Sequence, residues 1–133
     1  AATTEPAKLS LEETVRAWVE ARNITVHTGD VEEVQALSSR GCDSCEQSFG
    51  PVRDAYQAGG RLETPGWRLR SVKRRPDFPT SREVATAVVF AAGRTFPSAG
   101  AKPIEYPAEK HVLVFRLRRV SGQWLVDQLA YAS

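Results

Sequence analysis

The chain has 133 residues, of which 41% are hydrophobic and 26% charged, and its formal net charge at pH 7 is +2. This length suits one domain, which at this size buries roughly two-thirds of the surface of its unfolded chain. No apolar run reaches the roughly 18 residues that a membrane-spanning helix requires, and the small net charge gives no compositional sign of a nucleic-acid binder. Composition therefore indicates a single globular core.

The first predicted helix begins at residue 10, because Ser10-Leu11-Glu12-Glu13 has the Ser-x-x-Glu form of a capping box. Apolar residues follow at steps of three and four, namely Leu11, Val15, Trp18, Val19 and Val26. The charged residues Glu12, Arg16, Glu20 and Arg22 are expected on the solvated face. Residues 28–30, Thr-Gly-Asp, end this helix, and Asp30 with Glu33 starts a shorter second one. The two helices should form a hairpin.

A third helix is predicted after residue 45, because Phe49, Val52, Ala55 and Tyr56 keep helical spacing up to the pair Gly59-Gly60. Beyond residue 60 the apolar period changes to two, which is typical of strands. Strands are predicted over residues 67–72, 84–92, 110–120 and 123–131, with Ser121-Gly122 as a tight turn between the last two. The proline-containing stretches 75–81 and 96–107 are predicted loops, since proline removes a ladder donor. The chain is therefore α+β, with helices packed on an antiparallel meander.

Two cysteines, Cys42 and Cys45, stand at the entry to the third helix. The favoured interpretation is a structural disulfide that closes a very short loop. A thioredoxin-type redox pair is disfavoured, because such a pair follows a core strand, whereas a helix precedes this one. A zinc site would have to recruit His27 and His111, which lack paired ligand spacing. No metal and no cofactor are expected.

Several short motifs carry a resemblance to a known fold. They are Thr28-Gly29-Asp30, Ala36-Leu37-Ser38, Cys42-x-x-Cys45, Tyr56-x-x-Gly59-Gly60-Arg61, Trp67 and the closing stretch Gly122-Gln123-Trp124-Leu125-Val126-Asp127. The order of helices and strands resembles the cone-shaped fold shared by nuclear transport factor 2 and ketosteroid isomerase, also called SnoaL-like. The motifs resemble, more narrowly, an uncharacterised family of actinobacterial lipoproteins.

This resemblance implies three helices on a curved sheet, in one cone domain over residues 9–133, with residues 1–8 as the remnant of a tether or linker. It also implies an exported protein, displayed on the cell envelope or outside the cell and lipid-anchored through an N-terminal segment that is removed. The chain starts at Ala1 and contains no Met, which agrees with such processing. The resemblance supplies no activity.

In a cone fold the concave sheet face and the first helices surround a pocket. The ligand-pocket residues predicted on this basis are Trp18, Tyr56, Phe115 and Leu129. Weak catalytic candidates are Asp127 and Tyr131, expected on one strand face with Leu125 and Leu129, and His111, expected beside Leu113. An aspartate in apolar company can have a raised pKa and act as a base.

The leading interpretation is a non-catalytic envelope domain that binds a small apolar ligand or an envelope protein. The alternative is an isomerase- or dehydratase-like enzyme that uses polar residues of the pocket, and a homodimer formed through the sheet is a third expectation. A set of basic residues also falls on the predicted strands, namely Arg68, Arg70, Lys73, Arg74, Arg75, Arg116, Arg118 and Arg119. These are interpreted as a solvated sheet face, with an anionic partner such as phospholipid headgroups as the alternative and nucleic acid disfavoured.

Overall fold

The computed structural model describes residues 8–75 and 82–132, which form three helices followed by seven strands. The helices are α1 (Leu11–Thr28), α2 (Glu32–Ala36) and α3 (Asp43–Gln57). The strands are β1 (Arg61–Glu63), β2 (Trp67–Arg74), β3 (Glu83–Phe90), β4 (Gly93–Phe96), β5 (Ile104–Tyr106), β6 (Glu109–Val120) and β7 (Gln123–Tyr131). Within the described part of the chain, no helix combines the length and the hydropathy needed to cross a membrane.

The strands form two antiparallel sheets. The larger sheet has the order β2-β3-β6-β7, and the smaller has the order β1-β4-β5. The four predicted strands and the hairpin at Ser121-Gly122 are confirmed, and so is the α+β architecture of three helices packed on antiparallel sheet. Register shifts in β2 and at the β6–β7 pairing bend the larger sheet, since each bulge adds a residue to one strand.

One predicted loop needs correction. Residues 96–107 contain β5, which pairs with β4. Pro103 and Pro107 stand immediately outside β5, where a proline removes no ladder hydrogen bond, so they bound the strand and do not interrupt it. The other predicted loop, 75–81, lies outside the described residues except for Arg75.

Helix α1 begins and ends as the sequence predicts. The Ser10 hydroxyl accepts a hydrogen bond from the amide of Glu13 (3.1 Å), and the Glu13 carboxylate accepts one from the amide of Ser10 (2.9 Å). The hydrogen bond from the Ser10 amide, and in second place the interaction with the Ser10 side chain, lower the pKa of the Glu13 carboxyl. Gly29 ends the helix with φ +80°, and the Tyr56 ring lies so close that a Cβ on Gly29 would be 2.5 Å from Tyr56 Cγ.

The core lies between α1, α3 and the inner face of the larger sheet. Trp18 has no exposed surface, and its ring packs against those of Phe115 (5.6 Å between centroids) and Trp67 (6.1 Å). Its indole N–H donates to the Ser38 hydroxyl at 2.9 Å, which satisfies the one polar atom of the side chain. The remaining core consists mainly of aliphatic residues, including Val15, Val19, Val34, Val84, Val88, Leu113, Leu117 and Val126.

The connection between α2 and α3 docks on the exposed edge of β7. The Ser39 amide donates to the Val126 carbonyl and the Val126 amide donates to the Leu37 carbonyl, both at 2.8 Å. At this point the β6–β7 register shifts, so that Leu117 faces Val126 while Arg116 faces Gln128. Asp127 is the extra residue of this bulge, which breaks the alternation predicted over residues 125–131.

Candidate functional site

A cavity of about 580 Å³ lies between α1, α3, the smaller sheet and one end of the larger sheet. Most of its wall is apolar, formed by Val26, Val52, Leu62, Trp67, Phe90, Leu113 and Leu129. Its more exposed lining residues, Gln47, Pro51, Pro107, Glu109 and Tyr131, mark the mouth. This volume lies within the range of roughly 300–1,000 Å³ that is usual for small-molecule sites.

An aromatic row crosses one sheet face, and three of its members, Trp67, Phe90 and Tyr131, line the cavity. Trp67 and Phe90 are paired across β2 and β3, and their rings stack at 4.3 Å with 7° between their planes. Phe90 in turn contacts His111 (4.5 Å) and Tyr131 (6.4 Å). The residues come from alternate positions of adjacent strands, which is why they meet on one sheet face. The row gives the cavity a broad flat surface for a ring or an alkyl chain.

The charged side chain of Arg22, from α1, also lines the cavity and lies against the aromatic row. Its guanidinium carbon lies 3.9 Å from the centroid of the Trp67 ring, in cation–π geometry. Its Nε–H donates to the Ser48 hydroxyl (2.7 Å) and its Nη2–H donates to the Ser48 carbonyl (3.1 Å). Helix α3 and strand β2 thus fix the guanidinium from two directions.

Burial in the cavity wall lowers the pKa of Arg22 to about 10, and the phenol groups of Tyr131 and Tyr106 offset part of that shift. The side chain keeps some accessible surface because it faces the cavity, yet protein atoms surround it closely enough to remove much of its hydration. It remains protonated at neutral pH, since its pKa still lies about three pH units above 7.

The sequence pattern predicts Arg22 on the solvated face of α1, and the structure corrects this prediction. Arg22 follows Val15 and Trp18 and precedes Val26 at steps of three and four, so it stands on the apolar stripe itself. A charged residue on the apolar stripe of a helix is the sequence feature that could have indicated a position in the cavity wall. The wall residues Leu62, Thr95 and Tyr106 were also missed, because they belong to the smaller sheet, which the sequence pattern did not predict.

The predicted pocket residues lie in different places. Leu129 lines the cavity. Trp18 and Phe115 are fully buried in the core and do not reach the lining. Tyr56 also lies outside the lining, and its hydroxyl donates to the Val26 carbonyl at 2.7 Å.

The predicted catalytic candidates divide into two groups. Tyr131 lines the mouth and is 65% exposed, and His111 packs edge-on against it with 5.2 Å between ring centroids. His111 Nε2 lies 2.9 Å from a carboxylate oxygen of Glu109, which also lines the mouth. Asp127 is absent from the cavity lining and accepts a hydrogen bond from the hydroxyl of Ser39, whose amide bonds to the edge of β7.

The predicted disulfide between Cys42 and Cys45 is confirmed, and it lies at the first turn of α3. Cys42 is the N-cap, and its sulfur accepts a hydrogen bond from the Cys45 amide at 3.1 Å. Between them, Ser44 accepts a hydrogen bond from the Leu129 amide at 2.8 Å, so this turn holds β7 beside the cavity. His27 lies elsewhere, with its Nε2 3.1 Å from the Thr64 carbonyl.

The basic residues of the strands do not share one surface. Arg68, Lys73, Arg116 and Arg118 are exposed on the outer face of the larger sheet. Arg119 instead lies over the Trp124 ring, at 5.4 Å from its centroid. Arg75 pairs with Glu83 at 3.6 Å.

Solved structures with similar folds have very different sequences. The intermembrane space region of the chloroplast protein ARC6 aligns with 90% of this chain and 92% of its own, at TM-score 0.57 and 9% identity. A protein of unknown function with a cystatin-like fold from Methylobium petroleophilum PM1 aligns with 95% of this chain and 80% of its own, at TM-score 0.51 and 16% identity. An NTF-2-like protein of unknown function from Shewanella oneidensis MR-1 covers 89% of this chain and 95% of its own, at TM-score 0.45 and 8% identity.

These likenesses concern the fold alone, and at TM-score 0.51 the Methylobium structure shows an α+β fold of the kind described as cystatin-like. No curated protein matches the sequence. A family match covers residues 2–130, nearly the whole chain. The chain therefore belongs to the family DUF6318, a family of unknown function.

Proposed function

We propose that this protein is a non-catalytic domain that binds a small, largely apolar ligand in its cavity. The observation that carries the proposal is the cavity of about 580 Å³ walled by aromatic and aliphatic side chains. Removing apolar surface from water contributes roughly 25 cal/mol per Å², so an apolar ligand gains most of its binding free energy against such a wall. A small ligand is favoured over a protein partner because the apolar surface is concave.

The polar groups support a binding role better than a catalytic one. A general base must come within hydrogen-bond distance of a substrate atom, yet Asp127 is engaged with Ser39 outside the cavity. His111 is paired with Glu109, and its contact with Tyr131 is between rings.

The rival proposal, an isomerase- or dehydratase-like enzyme, draws its support from the meeting of Glu109, His111 and Tyr131 at the mouth. The enzyme proposal is tested with the ligand that co-purifies with the protein and is released when the protein is denatured. Mass spectrometry and NMR should give the same compound before and after a day with excess fresh protein. Conversion by the wild type but not by His111→Gln would overturn the non-catalytic assignment.

Binding itself is tested with N-phenyl-1-naphthylamine, a neutral apolar probe whose emission rises in an apolar site. Saturable binding at one site is expected. Leu129→Trp adds bulk to the cavity wall and should weaken binding about tenfold or more, whereas Gln128→Trp, on the exposed neighbouring position, should leave it unchanged. Absence of saturable binding, or equal effects of the two variants, would refute the proposal.

We further propose that the domain is exported and held at the cell envelope by a lipid anchor. The disulfide supports this, because such bonds persist in oxidising compartments and are rare in the cytosol. Fractionation of the host cell should place the protein with membranes and release it with detergent. Recovery from the cytosol with both thiols reactive toward an alkylating agent would contradict the localisation.

A further inference from the structure

Arg22 is held by the protein in a way that leaves one edge of its guanidinium open. Arginine carries five N–H donors, and Ser48 binds two of them, one on Nε and one on Nη2. Within residues 8–75 and 82–132, no hydrogen-bond acceptor contacts the other three, which lie on Nη1 and the outer side of Nη2. Because Ser48 occupies the Nε side, the open edge is the fork of two terminal nitrogens that pairs with carboxylates.

In the part of the chain that the structure describes, the charge of Arg22 also has no acidic partner. Among the described residues, no carboxylate forms an ion pair with it, and besides burial the groups that act on its pKa are the side chains of Tyr131 and Tyr106. Of the described carboxylates, Glu109 alone belongs to the lining, and it is paired with His111 at the mouth. A partly buried, unpaired cation is costly, so a site that keeps one is suited to an anion supplied by a ligand.

The rest of the cavity indicates what the anion is attached to. The stacked rings of Trp67 and Phe90 and the aliphatic residues Val26, Leu113 and Leu129 offer no charge and few polar atoms. Trp67 belongs to both parts of the site, because Arg22 stacks on its ring while the same ring borders the apolar wall. One ligand can therefore reach the guanidinium and the apolar wall together.

We propose that the ligand is a small amphipathic carboxylate, whose anionic group binds the open edge of Arg22 and whose apolar ring or chain lies against Trp67 and Phe90. This inference rests on the proposed binding function and adds the chemical class of the ligand. Arg22 is then the residue that selects acids over neutral compounds of the same shape.

The test compares two probes of the same shape, 2-naphthylacetate and 2-naphthylacetamide, as competitors of N-phenyl-1-naphthylamine at pH 7. Hydrogen bonds to a charged partner should favour the acid by roughly 10- to 100-fold in the wild-type protein. Arg22→Gln should reduce this preference to less than about threefold, while Arg16→Gln, an exposed position on the same helix, should preserve it.

A second measurement uses the wild-type protein alone, so it does not require that the Arg22→Gln variant folds. The Arg22 Nε–H resonance of the wild-type protein, assigned through its neighbours, should shift when the acid is added and stay in place with the amide at equal occupancy. Equal competition by acid and amide, or an acid preference that survives in Arg22→Gln, would overturn the carboxylate assignment. If N-phenyl-1-naphthylamine binds but the acid has no such advantage, the proposed binding function stands and only the carboxylate assignment is wrong. If N-phenyl-1-naphthylamine does not bind at all, the binding function and the carboxylate assignment are both wrong.

Discussion

The covalent link between Cys42 and Cys45 should add a measurable amount to the stability of the fold. The two residues are three positions apart, so the loop that they close is very short. In the chain-entropy description, closing a loop of this length removes enough freedom from the unfolded chain to stabilise the fold by about 2 kcal/mol. Reduction leaves both side chains in place and therefore isolates the contribution of the bond.

Urea unfolding followed by tryptophan fluorescence, with and without a phosphine reductant, measures this difference. With a urea m-value of roughly 2 kcal/mol/M, the midpoint should fall by about 1 M on reduction. Midpoints that agree within about 0.2 M would refute the assigned role of the bond.

The N-cap role of Cys42 can be separated from the bond with two double variants. Cys42→Ser with Cys45→Ala keeps an acceptor for the amide of residue 45, whereas Cys42→Ala with Cys45→Ala removes it. The second variant should be less stable by about 1 kcal/mol, the usual cost of a lost N-cap. Equal midpoints would show that the cap contributes nothing.

Two further predictions concern α1. Gly29→Ala should destabilise the fold by at least about 1–2 kcal/mol, because φ is +80° at this position and the added Cβ would meet Tyr56. The control variant Gly41→Ala has open space around the added Cβ, so its stability in the same urea assay should stay within about 0.5 kcal/mol of wild type. The ionised Glu13 should stabilise the fold at pH 7, since its folded-state pKa is lowered, and this contribution should disappear as pH falls below about 4.5 through that lowered value. The midpoints of wild type and Glu13→Gln should therefore differ at pH 7 and converge near pH 2; a difference independent of pH would argue against the capping box with Ser10.

Local signals predicted much of the fold. The capping box at Ser10 and the glycine at position 29 act within a few residues of themselves, so they fix the ends of α1 without reference to the rest of the chain. Ser121-Gly122 joins β6 and β7 for the same reason, because a two-residue turn sets the register of its own hairpin.

The features that the sequence could not reveal depend on distant contacts. The bulge at Asp127 coincides with the docking of residues 37–39 on β7, and no pattern within β7 shows where another segment will pair. The smaller sheet joins strands of only three or four residues, which are too short to show a period. Residues of the smaller sheet complete the cavity wall. The sequence could therefore predict a pocket on the concave face of the larger sheet, but not this part of its lining.

The position of Arg22 on the apolar stripe of α1 is visible in the sequence, but it has two structural explanations. A charge on the apolar stripe of a helix can extend past the core into solvent, as long side chains often do, or can point into a cavity. The sequence does not distinguish these cases, because the answer depends on Ser48 and Trp67, which lie on other elements. Only their positions in the fold show that the guanidinium faces enclosed space.

A crystal structure of the protein with 2-naphthylacetate would show whether the cavity binds an amphipathic carboxylate through Arg22. We expect the naphthalene ring in the cavity against Trp67 and Phe90, with both carboxylate oxygens within about 3 Å of the terminal nitrogens of Arg22. A cavity that holds only water while the probe is bound elsewhere on the surface would contradict it.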